Sequence, residues 1–152
     1  MKLKVVKANG IAHIALNVSD LKKSKIFYDQ LLPFLGMSLV HQSSKSFYYI
    51  GARTGILIQK LNNAKNLTFS QNNIGLHHFC FRAKSRDDIN LVHKKLIEIR
   101  ANIVRGPLNG NWVEGYYYVL FEDPDKIRLE VNFVPDKGVF KKGSKFDPSG
   151  DY

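Results

Sequence analysis

Cysteine is almost missing from this sequence: Cys80 is the only one in 152 residues. A lone cysteine cannot close an internal disulfide, which excludes the cross-linked framework of a small secreted scaffold. No stretch approaches the roughly 18–20 consecutive apolar residues of a membrane-spanning helix. The opening MKLKVVKANG lacks the apolar core and small-residue cleavage site of a secretory signal. The expectation is a cytoplasmic protein with no membrane partner. Acidic residues are also few, 13 against 23 Lys and Arg, for a formal net charge of +10. The basic residues do not gather into a stripe able to track phosphates: Lys22, Lys23 and Lys25 share one segment, Lys94 and Lys95 another, and Lys141, Lys142 and Lys145 a third. That scatter predicts a solvated surface and no nucleic-acid partner, with a bias toward a small anionic substrate.

What is present is apolar mass for one ordinary core, 44% of the chain, and an internal repeat. Gly10-Ile11-Ala12-His13-Ile14-Ala15-Leu16 lies over Gly75-Leu76-His77-His78-Phe79-Cys80-Phe81: glycine, two residues, histidine, then a strand-like run. A helix start follows each. Ser19-Asp20-Leu21 opens a helical pattern through Tyr28, Leu31 and Leu32. Ser85 with Asp88 forms a capping box before Ile89, Val92, Leu96 and Ile99 at spacings of three and four. Three strand-like segments come next in each half: 37–42, 46–50 and 55–61, then 102–105, 115–122 and 127–134, separated by turn residues. The fold predicted is α+β, two tandem βαβββ modules forming a curved mixed sheet around a metal cleft, in a single domain. Module one covers about 10–61, a polar linker 62–74, module two about 75–134, and a tail 135–152.

Side chains alternate along a strand, so one anchor assigns the faces. Ile14, Leu16 and Val18 suit packing under a helix, which turns His13 to the opposite face, and repeat equivalence turns His78 there too. Overlaying Ile56-Leu57-Ile58-Gln59 on Ile127-Arg128-Leu129-Glu130 pairs Gln59 with Glu130. A carboxylate on an otherwise apolar strand needs a partner, because an unpaired buried charge is costly. His13, Gln59, His78 and Glu130 are therefore the candidate ligands of a divalent metal. Imidazole, amide and carboxylate donors suit zinc, nickel, cobalt, iron or manganese alike. His77 has the opposite polarity to His78 and reads as structural; His41 and His93 lack repeat counterparts and read as surface residues.

These stretches, with Ser24-Lys25-Ile26-Phe27-Tyr28, Leu35-Gly36-Met37 and Phe121-Glu122-Asp123-Pro124-Asp125-Lys126, span roughly residues 10–134 and resemble the vicinal oxygen chelate superfamily. That group takes in glyoxalase I, extradiol dioxygenases, fosfomycin- and bleomycin-resistance proteins and methylmalonyl-CoA epimerase. The resemblance implies a metal that chelates two vicinal oxygens of a small substrate, held at the same four positions, in a homodimer. It implies Glu130 as the catalytic proton acceptor, with Trp112, Tyr116, Tyr118 and Arg128 shaping the substrate pocket. For any one of the tyrosines, ordinary strand packing is the competing account. Two positions depart from the pattern: Gln59 stands where glyoxalase I relatives carry an acid, and Lys126 where glycine is common. The expected activity is that of a glyoxalase-like lyase or isomerase. An extradiol-type dioxygenase, a methylmalonyl-CoA epimerase-like enzyme and an antibiotic-binding protein are the alternatives.

Overall fold

The computed structural model describes residues 7–8, 10–62 and 69–147. Its contacts divide the chain into two units, Met1–Lys65 and Asn66–Tyr152.

In the first unit, strand β1 (His13–Val18) leads into helix α1 (Leu21–Leu31), followed by β2 (Ser38–Gln42), β3 (Ser46–Gly51) and β4 (Thr54–Lys60). Asp20 starts the helix: its Oδ1 accepts from the free amides of Lys22 and Lys23 at 2.9 and 3.1 Å. Ser24, Phe27, Tyr28 and Leu31 recur every three to four residues and are buried. They cover one face of a sheet ordered β1-β4-β3-β2, in which β1 runs parallel to β4 and the other pairs are antiparallel. Leu16 and Val18 are buried while His13, Ala15 and Asn17 are exposed, so the alternation assigned the faces of β1 correctly.

The second unit repeats this plan: β5 (Phe79–Arg82), α2 (Arg86–Glu98), β6 (Asn102–Asn109), β7 (Tyr117–Glu122) and β8 (Arg128–Phe133), in the order β5-β8-β7-β6. Ser85 caps α2 as its sequence predicts, accepting from the Asp88 amide at 3.1 Å and donating to the Asp88 carboxylate at 2.9 Å. Ile89, Val92 and Leu96 are buried beneath it. The expected α+β pair of βαβββ modules is thus present, its strands forming two four-stranded sheets, one in each unit.

Two expectations change. Strand β6 does not stop at Arg105 but continues through Gly106-Pro107 to Asn109, with register shifts around those residues. It is an edge strand, where a proline lacking an N–H is tolerated. The tail is not a loose end over its described part. It makes a 3-10 turn at Gly138–Phe140 and returns to the second unit through the Asp147 amide, 2.9 Å from the Trp112 carbonyl. Residues 63–68 of the linker and 148–152 of the tail lie outside the described residues. Among the described residues no helix is long and apolar enough to cross a membrane.

Candidate functional site

On the second unit's sheet, the face turned away from α2 carries the chemistry. Cys80 on β5 sits opposite Glu130 on β8, and Leu120 opposite Glu130 on β7. Leu129 and Val131, the neighbours of Glu130, point to the helix side and are buried, which leaves the carboxylate on the opposite face and fully buried. Its two oxygens differ. Oε1 accepts a hydrogen bond from the Tyr116 hydroxyl and another from the Cys80 thiol at 3.4 Å. The Asn132 amide in turn donates to the Tyr116 oxygen at 2.7 Å. Oε2 is buried with no hydrogen-bond partner, and His78 Nε2 lies 3.5 Å from it.

Burial pushes the Glu130 carboxyl above its ordinary range, opposed by the Tyr116 and Cys80 hydrogen bonds. Burial also drives the His78 imidazole down to about 4, helped by His77 and by the positive charge of Arg128. At neutral pH the ring is therefore uncharged, the form that ligates metals.

His77 is nearer to this chemistry than its strand polarity suggests. Strand β5 begins only at Phe79, so the opposite-face rule does not bind residues 77 and 78. Their rings meet edge-on at 5.1 Å, with the two Nδ1 atoms 2.8 Å apart. Either Nδ1 can carry the proton they share; with it on His78, Nε2 is the lone pair nearest Glu130.

The pocket residues expected from the resemblance separate into two groups. Tyr116 bonds Glu130 directly. Trp112 and Tyr118 pack with it in a buried cluster, with ring centroids 4.7, 5.2 and 5.7 Å apart in edge contacts. Arg128 leans on Glu122 at 3.5 Å. Cys80 and Asn132 also belong to the constellation. Counting in twos along the sequence from His78 and Glu130 puts both on this face.

In the first unit His13 is exposed at the start of β1, with Gly55 as its register partner. Gln59 lies four residues along, opposite Asn17, and its amide donates to Asn17 Oδ1 at 2.9 Å. Four strand residues amount to about 13 Å between backbones. The register also redraws the repeat. The displacement that carries His13 to His78 also carries the cap Asp20 to Ser85. On that displacement Ile14 corresponds to Phe79, and their partners Ile56 and Leu129 correspond in turn. Leu57 is therefore the counterpart of Glu130, and Gln59 that of Asn132. The sequence overlay was two residues out. The two closing turns differ in length: β3 and β4 are joined by Ala52-Arg53, both at positive φ, whereas Asp123–Ile127 join β7 to β8.

Among the described residues no group of three or more His, Cys, Asp and Glu side chains forms a metal-holding cluster. The second unit offers two donors. A divalent ion bonded to both at about 2.1 Å, with a tetrahedral angle between them, sets such donors about 3.4 Å apart. The separation of 3.5 Å and the orphaned Oε2 fit that requirement.

The Glyoxalase/Bleomycin resistance protein/Dioxygenase superfamily model matches residues 10–131, the greater part of both units. The chain belongs to that superfamily. Its sequence is 28% identical over 128 residues to YqjT, an uncharacterised protein of Bacillus subtilis (strain 168), covering 78% of this chain and 94% of that one. The fold is similar to that of a glyoxalase-type protein from Bacillus halodurans, at a TM-score of 0.75 and 28% identity, covering 83% of this chain and 96% of that one. It is also similar to that of a lactoylglutathione lyase from Agrobacterium tumefaciens, at a TM-score of 0.61 and 20% identity, covering 83% and 94%.

Proposed function

We propose that this superfamily member is a divalent-metal-dependent, glyoxalase-like enzyme that acts as a lyase or isomerase on a small oxygenated substrate. The observation that carries the reading is the buried, unpaired Oε2 of Glu130 facing His78 Nε2 at 3.5 Å. A fold that leaves a buried carboxylate oxygen without a donor forgoes about 1–3 kcal/mol or more, and a cation at that place recovers it. In this reading His78 and Glu130 are the two donors that the second unit supplies. When bound, the ion acts as a Lewis acid on the vicinal oxygens of the substrate.

The chain's own groups divide the remaining work. Tyr116 and Cys80 hold Oε1 and so fix the plane of the carboxylate. Glu130 exchanges a proton with the substrate carbon, a role suited to a carboxyl that burial holds above its ordinary range. His77 fixes the tautomer of His78. The Trp112–Tyr116–Tyr118 cluster excludes water from behind the carboxylate. A single free thiol suits a reducing compartment such as the cytoplasm. The homodimer implied by the resemblance fits strand β2, an edge exposed along its whole length with Leu39 and Val40 uncovered.

Elemental analysis and calorimetric titration with zinc, manganese, nickel, cobalt and iron(II) test the reading. Wild-type protein is expected to bind one ion per chain, and His78→Ala or Glu130→Gln to weaken it at least a hundredfold. Binding that survives both substitutions sinks the proposal.

A further inference from the structure

Arg82 closes strand β5, two residues beyond Cys80 on the same helix-free face. Its register partner is Asn132, itself two residues beyond Glu130. The Arg82 backbone therefore stands about 7 Å along the sheet from the Cys80–Glu130 row and about 13 Å from His78. Arg82 is exposed, and its side chain makes no hydrogen bond or ion pair with any described residue. Two other guanidinium groups of this unit are engaged. Arg128 leans on Glu122 at 3.5 Å, and Arg86 lies 3.8 Å over the Tyr117 ring and donates to Asn109 at 2.9 Å.

The first unit holds a control for this position. There the counterparts of Arg82 and Asn132 are Asn17 and Gln59, and the two satisfy each other through a 2.9 Å hydrogen bond. In the second unit that partnership is broken. Asn132 turns to the Tyr116 hydroxyl, inside the network that holds Glu130, and leaves the planar fork of Arg82 with five donors and no acceptor among the described residues. The same register position is closed on itself in one repeat and open in the other.

We propose that Arg82 binds an anionic oxygen group, a carboxylate or a phosphate, at the far end of the substrate whose reacting oxygens sit at His78 and Glu130. The assignment rests on the function proposed above and adds the substrate class: a short molecule with vicinal oxygens at one end and an anion a few bonds away. A guanidinium meets either anion through two parallel hydrogen bonds, which also sets the orientation of the substrate along β5 and β8.

Three matched probes test it by calorimetric titration into manganese-loaded, full-length protein. They are 2-oxoglutarate, 2-oxopentanoate (the same carbon chain without the distal carboxylate) and the phosphonate analogue of 2-oxoglutarate. Wild-type protein is expected to prefer the two doubly anionic probes over 2-oxopentanoate by about tenfold. The tighter of the two identifies carboxylate or phosphate as the natural group. Arg82→Gln is expected to erase the preference, Arg82→Lys to keep part of it, and Arg86→Gln to leave it in place. No preference in wild type, or one that Arg82→Gln leaves unchanged, overturns the proposal. Repeating the titrations on chelator-treated protein isolates the metal question. If all three probes bind as tightly without the ion, the metal reading fails, while the ratio between probes still judges Arg82.

Discussion

Glu130 and His78 show how two neighbouring groups acquire opposite tendencies from the same burial. Loss of solvent raises the carboxyl and lowers the imidazole, so each is pushed toward its uncharged form. The histidine has a consequence for stability. Its folded value of about 4 lies below the ordinary 6.5, so the unfolded chain takes up the proton first. The stability it contributes is full above about pH 6.5 and is lost as pH falls toward 4, on the order of 2 kcal/mol after discounting for a half-buried ring. Chemical denaturation of chelator-treated wild type beside His78→Gln measures it: the gap between the two curves should narrow across that window. A gap independent of pH means that the ring is not held neutral. At the same scale, Tyr116→Phe removes one of the two donors that fix Oε1. Metal affinity is expected to fall about tenfold while the far-ultraviolet circular dichroism stays unchanged.

At the scale of elements, the caps and turns were the most legible part of the chain and the strand registers the least. Ser85 and Asp88 could be read directly, because a capping box is a local pattern with a local cause. Ser85→Ala is expected to cost about 1 kcal/mol in a denaturant melt. The turn before β8 is equally local. Asp123 is buried and its Oδ1 accepts from the amides of Asp125 and Ile127 at 2.8 and 2.9 Å. Lys126 takes φ +66 there, the conformation that glycine adopts without strain, which accounts for the glycine usual at this place in resembling proteins. Lys126→Gly should therefore stabilise the chain by up to about 1 kcal/mol, the relief of strain outweighing the added freedom of the unfolded backbone. A lowered melting temperature would contradict that account. The register of β4 could not be read this way. Ile56-x-Ile58 matches both Ile127-x-Leu129 and Leu129-x-Val131, because a slide of two residues preserves the alternation. Only the pairing with β1 decides between them.

For the molecule as a whole, duplication made the architecture readable from one sequence. Two histidines, two helix starts and two sets of three strands recur in the same order, and both sheets take the same strand order. The candidate site was legible in part. His78 and Glu130 were found by repetition and alternation, and they face each other. Alternation put Cys80 and Asn132 on the face of Glu130, but the contact of His77 with His78 and the role of Arg82 depend on where β5 begins and which way an amide turns, which no pattern records. A ligand that binds only the folded chain raises stability by about 2.7 kcal/mol at a hundred times its dissociation constant. Added metal should therefore lift the melting temperature in wild type and leave Glu130→Gln unmoved.

The contrast between Leu57 and Glu130 reaches further. At the same place in a duplicated fold, one copy carries an inert hydrocarbon and the other an acid whose second oxygen has no donor. The acid is a handicap that the resting protein tolerates for the sake of its task. Removing it together with its partner, as Glu130→Leu with Tyr116→Phe, should give a chain that melts at or above the wild-type temperature and binds nothing. Heat resistance gained as ligand capture vanishes would identify this spot as one kept for work rather than for folding.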